Sequence, residues 1–226
     1  MKSKITYRDY YVAFLDVLGF SNIVKNQDAE YIHKIFSNVR KAKRYVKKDR
    51  GGRKTEETKF YFFSDTIVCA IPSSEENALE SIASNCMLIQ HALWSFGSPI
   101  WLRGAITRGQ LYCGEGEVFG PALIEAYEIE EKLAIYPRIV MTVETYNIGI
   151  EESKNKESID FIIDTDDGLK MVETFGAFKF LKGTASVKEI VINELRKQTD
   201  KNVREKYLWV KKHYNEHLSE DEEVTL

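Results

Sequence analysis

The stretch YYVAFLDVLG, residues 10–19, is an apolar and aromatic run with a single charged residue, Asp16. A run of this kind closed by a glycine, here Gly19, is typical of a β-strand buried on both faces. The helical spacing of the apolar residues that follow, with Asp28 as an N-cap, predicts a helix after the strand. The sequence therefore predicts a lone carboxylate near the end of a buried strand.

The segments that follow predict the order βαββαβ. FYFF (60–63) and TIVCAI (66–71) are β-rich runs separated only by Ser64 and Asp65, which is the length of a tight hairpin. A second amphipathic helix and another strand, PIWLRGAITRG (99–109), come next. We therefore predict an α+β fold with a ferredoxin-like βαββαβ core.

This topology brings two distant aspartates together. With right-handed crossovers, the first and second strands run parallel and the third lies between them, so the end of strand one and the hairpin apex share one sheet edge. Asp16 and Asp65 would be neighbours there, and they would repel one another unless a cation lay between them. Ligation by oxygen alone suits Mg²⁺ or Mn²⁺.

Composition excludes several function classes. The chain has 226 residues and a formal net charge of −3, which argues against a nucleic-acid or anionic-lipid partner. No stretch resembles a signal peptide or a membrane span, so we expect a cytoplasmic protein without a membrane partner. The cysteines have no metal-binding spacing and fit a reducing compartment: Cys69, Cys86 and Cys113.

Three blocks of the sequence resemble the catalytic domain of class III nucleotidyl cyclases. They are FLDVLGFS (14–21), similar to the F-x-D-h-h-G-F-[ST] metal motif, FFSDTIVCAI (62–71), similar to the h-x-G-D-x-h-h hairpin, and LRGAITRG (102–109) with VFGPALIEAYEIE (118–130), similar to two glycine-containing segments. Within this superfamily the chain is most similar to the bacterial Pycsar pyrimidine cyclases. Those enzymes make cyclic UMP or cyclic CMP as an anti-phage signal that a separate effector reads.

The resemblance implies a nucleotidyl cyclase catalytic domain over residues 1–185, followed by a C-terminal helical extension and an acidic tail over 186–226. It implies conversion of UTP or CTP to the 3′,5′-cyclic monophosphate and pyrophosphate, with uridylate cyclase favoured. Two Mn²⁺ or Mg²⁺ ions would be held by Asp16, Asp65 and Val17. A homodimer is also implied, because active sites in this family take residues from two chains.

The same resemblance implies substrate contacts. The turn after the first motif would bind the triphosphate through Gly19, Phe20 and Ser21. Tyr61 stands where purine-using relatives have a lysine that reaches the base, and Glu117 takes the second base-reading position. A tyrosine fills space that the second ring of a purine would need, so the pair favours a pyrimidine. Tyr61 is equally consistent with an aromatic residue packed in the core.

The chain departs from the family at two catalytic positions. Where the family has an asparagine and an arginine, this sequence has Ile124 and Glu128, which cannot orient a ribose or stabilise phosphate charge. The cations implied in their place are Arg103 as a catalytic residue and, for substrate binding, Arg138, Lys179 and Lys182. The acidic residues nearby are interpreted as a solvated helix face: Glu125, Glu128, Glu130 and Glu131.

Two other functions stay open. A palm-type cyclase that makes cyclic dinucleotides would share the βαββαβ core, but its G-G-[DE]-E-F turn is absent where Ser64, Asp65 and Thr66 stand. A catalytically inactive cyclase-like module that binds a nucleotide or a partner would account for the missing asparagine and arginine. Incubation with the four nucleoside triphosphates separates an enzyme from such a module.

Overall fold

The computed structural model describes residues 5–48, 58–94, 100–114, 116–154, 156–175, 184–216 and 224. Its first elements are β1 (Arg8–Val17), α1 (Phe20–Asn26), α2 (Ala29–Lys48), β2 (Lys59–Phe63), β3 (Thr66–Pro72), α3 (Ala78–Trp94) and β4 (Leu102–Cys113). They are followed by β5 (Val118–Phe119), α4 (Pro121–Leu133), β6 (Ile139–Met141), α5 (Val143–Glu152), β7 (Ile162–Asp164), β8 (Lys170–Val172), α6 (Thr184–Lys197) and α7 (Lys201–Glu216).

The strands form one sheet in the order β2-β3-β1-β4-β6-β8-β7, and β5 pairs with β4. β3 lies between β1 and β2 and is antiparallel to both, so β1 and β2 run parallel. This arrangement, with helices between β1 and β2 and between β3 and β4, confirms the predicted α+β fold with a βαββαβ core. The hairpin between β2 and β3 has the predicted two-residue turn, in which Ser64 adopts a left-handed conformation with φ 55°.

The two faces of the sheet are covered differently. The residues of β1 that face α2 and α3 belong to the largest hydrophobic cluster: Tyr11, Ala13, Leu15 and Val17. The alternate residues Tyr10 and Val12 pack in a second cluster with Ala122 of α4, and Phe14 contacts Tyr127 of α4 with ring centroids 5.6 Å apart. Asp16 continues this second set of alternate positions, so it lies on the α4 side of the sheet.

The C-terminal helices pack against the sheet edge near Asp16. Val191 of α6 and Val210 of α7 are buried in one aromatic-rich cluster with Trp101 and Phe175, and Leu18 packs against it. No helix in the described part of the chain is long and apolar enough to cross a bilayer. The segment FGAFKFLKG (175–183), whose pattern predicts a last strand or hairpin, lies outside the described residues except for Phe175.

Candidate active site

Asp16 and Asp65 meet at one edge of the sheet. The amide of Val17 donates a hydrogen bond of 3.0 Å to the carbonyl oxygen of Asp65, and Asp16 is paired with Thr66 in the β1–β3 register. The juxtaposition expected from the topology is therefore present. It arises because β1 ends where the β2–β3 hairpin turns.

The turn after β1 is built around Gly19. This residue has φ 73°, a left-handed conformation that an L side chain rarely adopts, and its carbonyl accepts from the amides of Asn22 and Ile23. Ser21 is exposed in the first turn of α1. Phe20 is buried and packs on Phe36 at a centroid distance of 5.8 Å, so its side chain is part of the core and only its backbone is available to a ligand.

Arg103 is the cation directly opposite Asp16 in the β1–β4 register. Its Nε lies 3.6 Å from Oδ2 of Asp16 and contacts Oε1 of Glu130. Glu130 is only 2% exposed. The interpretation of Glu130 as part of a solvated helix face is therefore wrong, because α4 turns this carboxylate inward toward Arg103.

Burial and charge determine the protonation of this cluster. Burial, and then the charge of Asp65, raise the pKa of Asp16, while Arg103 and Lys206 oppose the shift. Burial also raises the pKa of Glu130, against the effect of Arg103. Burial and the charge of Arg103 lower the pKa of Lys206, a residue of α7 that the sequence analysis did not single out.

Tyr61 and Glu117 are brought together at the other end of β4. The Tyr61 hydroxyl donates to the carbonyl of Gly114 at 2.9 Å, and the Gly114 amide donates to the carbonyl of Glu117 at 2.9 Å. Burial raises the pKa of the Tyr61 phenol, which is neutral at ordinary pH. Tyr61 is a buried aromatic residue whose hydroxyl is held by this hydrogen bond. Its strand, β2, is separated from β1 by β3.

Of the remaining predicted cations the structure describes Arg138 alone, and the hydrogen-bond partners of its side chain do not include Asp16. Arg138 is buried, forms an ion pair with Asp167 and donates to the carbonyl of Leu133 at 2.9 Å. The guanidinium of Arg138 lowers the pKa of Asp167 to about 2. Lys179 and Lys182 lie outside the described residues. A phosphate contact by any of these three side chains stays a prediction.

The two departures from the family's catalytic residues lie on the surface of α4. Ile124 is 62% exposed, and Glu128 forms an exposed ion pair of 2.9 Å with Lys132 one turn along the helix. Neither residue carries a positive charge. The helix contributes a buried carboxylate, Glu130, to the candidate site instead of a cation.

No model of a protein family matches the chain, and no curated protein matches its sequence. The catalytic core of a rhodopsin-guanylyl cyclase with converted specificity, in complex with ATPαS, matches with a TM-score of 0.53 at 14% identity, over 76% of this chain and 97% of that chain. The chain has the fold of a nucleotidyl cyclase catalytic domain. Its structural neighbours are class III adenylyl and guanylyl cyclase domains.

Two further structures have this cyclase fold. The guanylate cyclase domain of RhGC from Catenaria anguillulae, in complex with GTP, matches with a TM-score of 0.51 at 16% identity, over 74% of this chain and 95% of that chain. A bacterial light-regulated adenylyl cyclase matches with a TM-score of 0.51 at 10% identity, over 75% of this chain and 52% of that chain. At such identities the likeness concerns the fold.

The donors at this edge of the cyclase fold suit a hard divalent cation. Asp16 and Asp65 offer only oxygen atoms, and Val17, the last residue of β1, can add its backbone carbonyl. The described residues contain no group of three His, Cys, Asp or Glu side chains arranged to hold a metal ion. Two carboxylates are nevertheless enough for Mg²⁺, which keeps several waters and takes its other ligands from substrate phosphates.

The charge of Asp16 should weaken the metal-free fold. Because its pKa is raised in the folded state, ionised Asp16 destabilises the protein above the unfolded pKa of about 4. Asp16→Asn should therefore raise the melting temperature at pH 7 in the presence of EDTA, and the gain should shrink as the pH falls toward 4. Asp9→Asn, at an exposed position of the same strand, is the control. An Asp16→Asn protein that melts at or below the wild-type temperature at pH 7 would contradict a raised pKa of Asp16 in the folded protein.

Proposed function

We propose that this chain is a nucleotidyl cyclase that converts a pyrimidine nucleoside triphosphate, UTP in preference to CTP, to the 3′,5′-cyclic monophosphate and pyrophosphate. The observation that carries the proposal is the apposition of Asp16 and Asp65 at one edge of a cyclase fold. Mg²⁺ or Mn²⁺ bound there would lower the pKa of the attacking hydroxyl and neutralise charge on the leaving phosphates.

The reaction is an intramolecular displacement at phosphorus. The ribose 3′-hydroxyl loses its proton to solvent and forms a bond to the α-phosphorus, while the bond from that phosphorus to the oxygen bridging the β-phosphate breaks. Asp16, Asp65 and the carbonyl of Val17 would hold the two ions. Arg103 would keep Asp16 oriented and add positive charge beside the reacting phosphate. The backbone of the turn at Gly19 and Ser21 would lie close to the phosphates.

The pyrimidine preference rests on Tyr61 and Glu117. Tyr61 stands where purine-using relatives have a base-reading lysine. Its hydroxyl already donates to the carbonyl of Gly114, so the side chain supplies bulk and an aromatic ring face but no charge. The Gly114–Glu117 turn is held beside it. A smaller base fits this combination better than a purine does.

Turnover tests the proposal directly. Incubation with each of the four nucleoside triphosphates and Mn²⁺ should give pyrophosphate and a cyclic product most rapidly with UTP. Asp16→Ala and Asp65→Ala should each lower turnover at least a hundredfold, since each removes a metal ligand, whereas Asp9→Ala on the same strand should stay near wild type. A purine product from the wild-type protein, or substantial activity in either site variant, would contradict the assignment.

A catalytically inactive nucleotide-binding module is the second candidate. Ile124 and Glu128 favour it, because neither can stabilise a transition state. A protein that binds nucleoside triphosphates without forming pyrophosphate or a cyclic product would support this candidate over the cyclase.

We further propose a homodimer in which Tyr61 of one protomer lies opposite Asp16 and Asp65 of the other. Apolar side chains of α4 remain exposed, including Ile124 and Tyr127. An exposed apolar surface of this kind is typical of an interface between subunits.

Substitution in that surface should separate the subunits. Tyr127→Asp should turn a dimer into a monomer in light scattering and lower turnover, because burying the new charge opposes association. Val24→Asp, at an exposed apolar position on α1, should leave the dimer intact. An active wild-type monomer would overturn the shared-site arrangement.

The biological role that we propose is that of signal synthase in Pycsar anti-phage defence. The cyclic pyrimidine nucleotide would act on a separate cyclic-nucleotide-sensing effector. Cells that express the chain should accumulate cyclic UMP after phage infection, and cells that express the Asp65→Ala variant should not. Equal nucleotide levels with and without phage would contradict an infection signal.

A further inference from the structure

The helix α7 presents one face toward the candidate active site. Lys206, Val210 and Tyr214 follow one another at intervals of four residues and therefore lie on the same side of the helix. Val210 and Tyr214 are each only 1% exposed, and Lys206, one turn before them, is half-buried. The buried face of α7 thus ends in a lysine.

Aromatic packing fixes that face at the edge of the sheet where Asp16 lies. Trp209 of α7 contacts Phe175 at a centroid distance of 5.7 Å, and Phe175 stacks on Trp101 at 6.2 Å. The carbonyl of Trp101 accepts from the amide of Leu18 at 2.8 Å, and Leu18 packs against the same cluster. These aromatic contacts and this hydrogen bond therefore connect α7 to the turn that follows Asp16.

Among the described carboxylates, none forms an ion pair with the amine of Lys206. Asp16, Asp200 and Glu130 act on it only electrostatically. Arg103, by contrast, is held between those two carboxylates. Arg138 is held by Asp167. Among the described cations of this edge, Lys206 is therefore the one best able to turn toward an incoming anion.

We propose that Lys206 is a phosphate-binding residue of the active site, supplied by the C-terminal helical hairpin α6–α7 to the same protomer's Asp16 and Asp65. The inference rests on the proposed function and extends it. With a divalent ion bound to Asp16, that carboxylate would no longer attract the ammonium of Lys206, which would reach phosphate oxygens of the triphosphate on its flexible stem. The lysine thereby supplies positive charge that Ile124 and Glu128 cannot.

Binding of inorganic triphosphate isolates this contact from base and ribose recognition. Calorimetry in Mn²⁺ should show that Lys206→Met weakens triphosphate affinity about tenfold to a hundredfold, the usual loss for a charge-assisted hydrogen bond. Lys206→Arg should retain most of the affinity. Lys201→Met, at an exposed position at the start of the same helix, should bind as wild type does. Melting temperatures identify any variant that fails to fold, and Lys206→Gln then replaces Lys206→Met.

The outcomes separate this inference from the proposed function. If the wild-type protein cyclises UTP and Lys206→Met binds inorganic triphosphate as tightly as wild type, the role of Lys206 is wrong while the cyclase assignment stands. If the wild-type protein neither binds inorganic triphosphate nor turns over any nucleotide, both fail. A Lys206→Met protein with unchanged triphosphate affinity but tighter Mn²⁺ binding would show that the lysine only competes with the metal, which also overturns the inference.

Discussion

The hydrogen bond from the amide of Val17 to the carbonyl of Asp65 joins the end of β1 to the apex of the β2–β3 hairpin. It forms because β3 pairs with β1 along its length, from Tyr10 with Pro72 to Asp16 with Thr66. The buried strand and the hairpin therefore position two carboxylates on a rigid scaffold. Their mutual repulsion, together with burial, favours binding of a cation that neutralises both.

Glu130 shows how the site tolerates so much negative charge. A carboxylate that is 2% exposed is costly unless a cation compensates it, and Arg103 lies between it and Asp16. The same contact joins α4 to β4 and β1. On the proposed function, helix α4 would contribute through the orientation of Arg103, and direct stabilisation of phosphate charge would come from other elements.

The central fold could be predicted because its signals are local. The apolar run before Asp16 and the two-residue gap between β2 and β3 are visible in the sequence, and topology alone brings Asp16 and Asp65 together. Glu130 was missed because it lies among acidic neighbours, although its spacing of four residues from Ala126 and eight from Ala122, both buried, marks an inward face. Lys206 was missed for a different reason, since tertiary packing through Trp209 and Phe175 determines where α7 lies.

The charge balance at this edge explains how a chain with a net charge of −3 could accept a polyanion. Among the described residues of this edge, Asp16, Asp65 and Glu130 outnumber Arg103 and Lys206, so on the proposed function the cluster would attract divalent cations before it attracts phosphate. On the proposed function, a nucleoside triphosphate arriving with its metal ions would bring the missing positive charge with it. A basic surface would then be unnecessary, and the cations needed would include those that the fold holds beside the two aspartates. The placement of α7 matters for this reason, because it determines whether one of those cations is present.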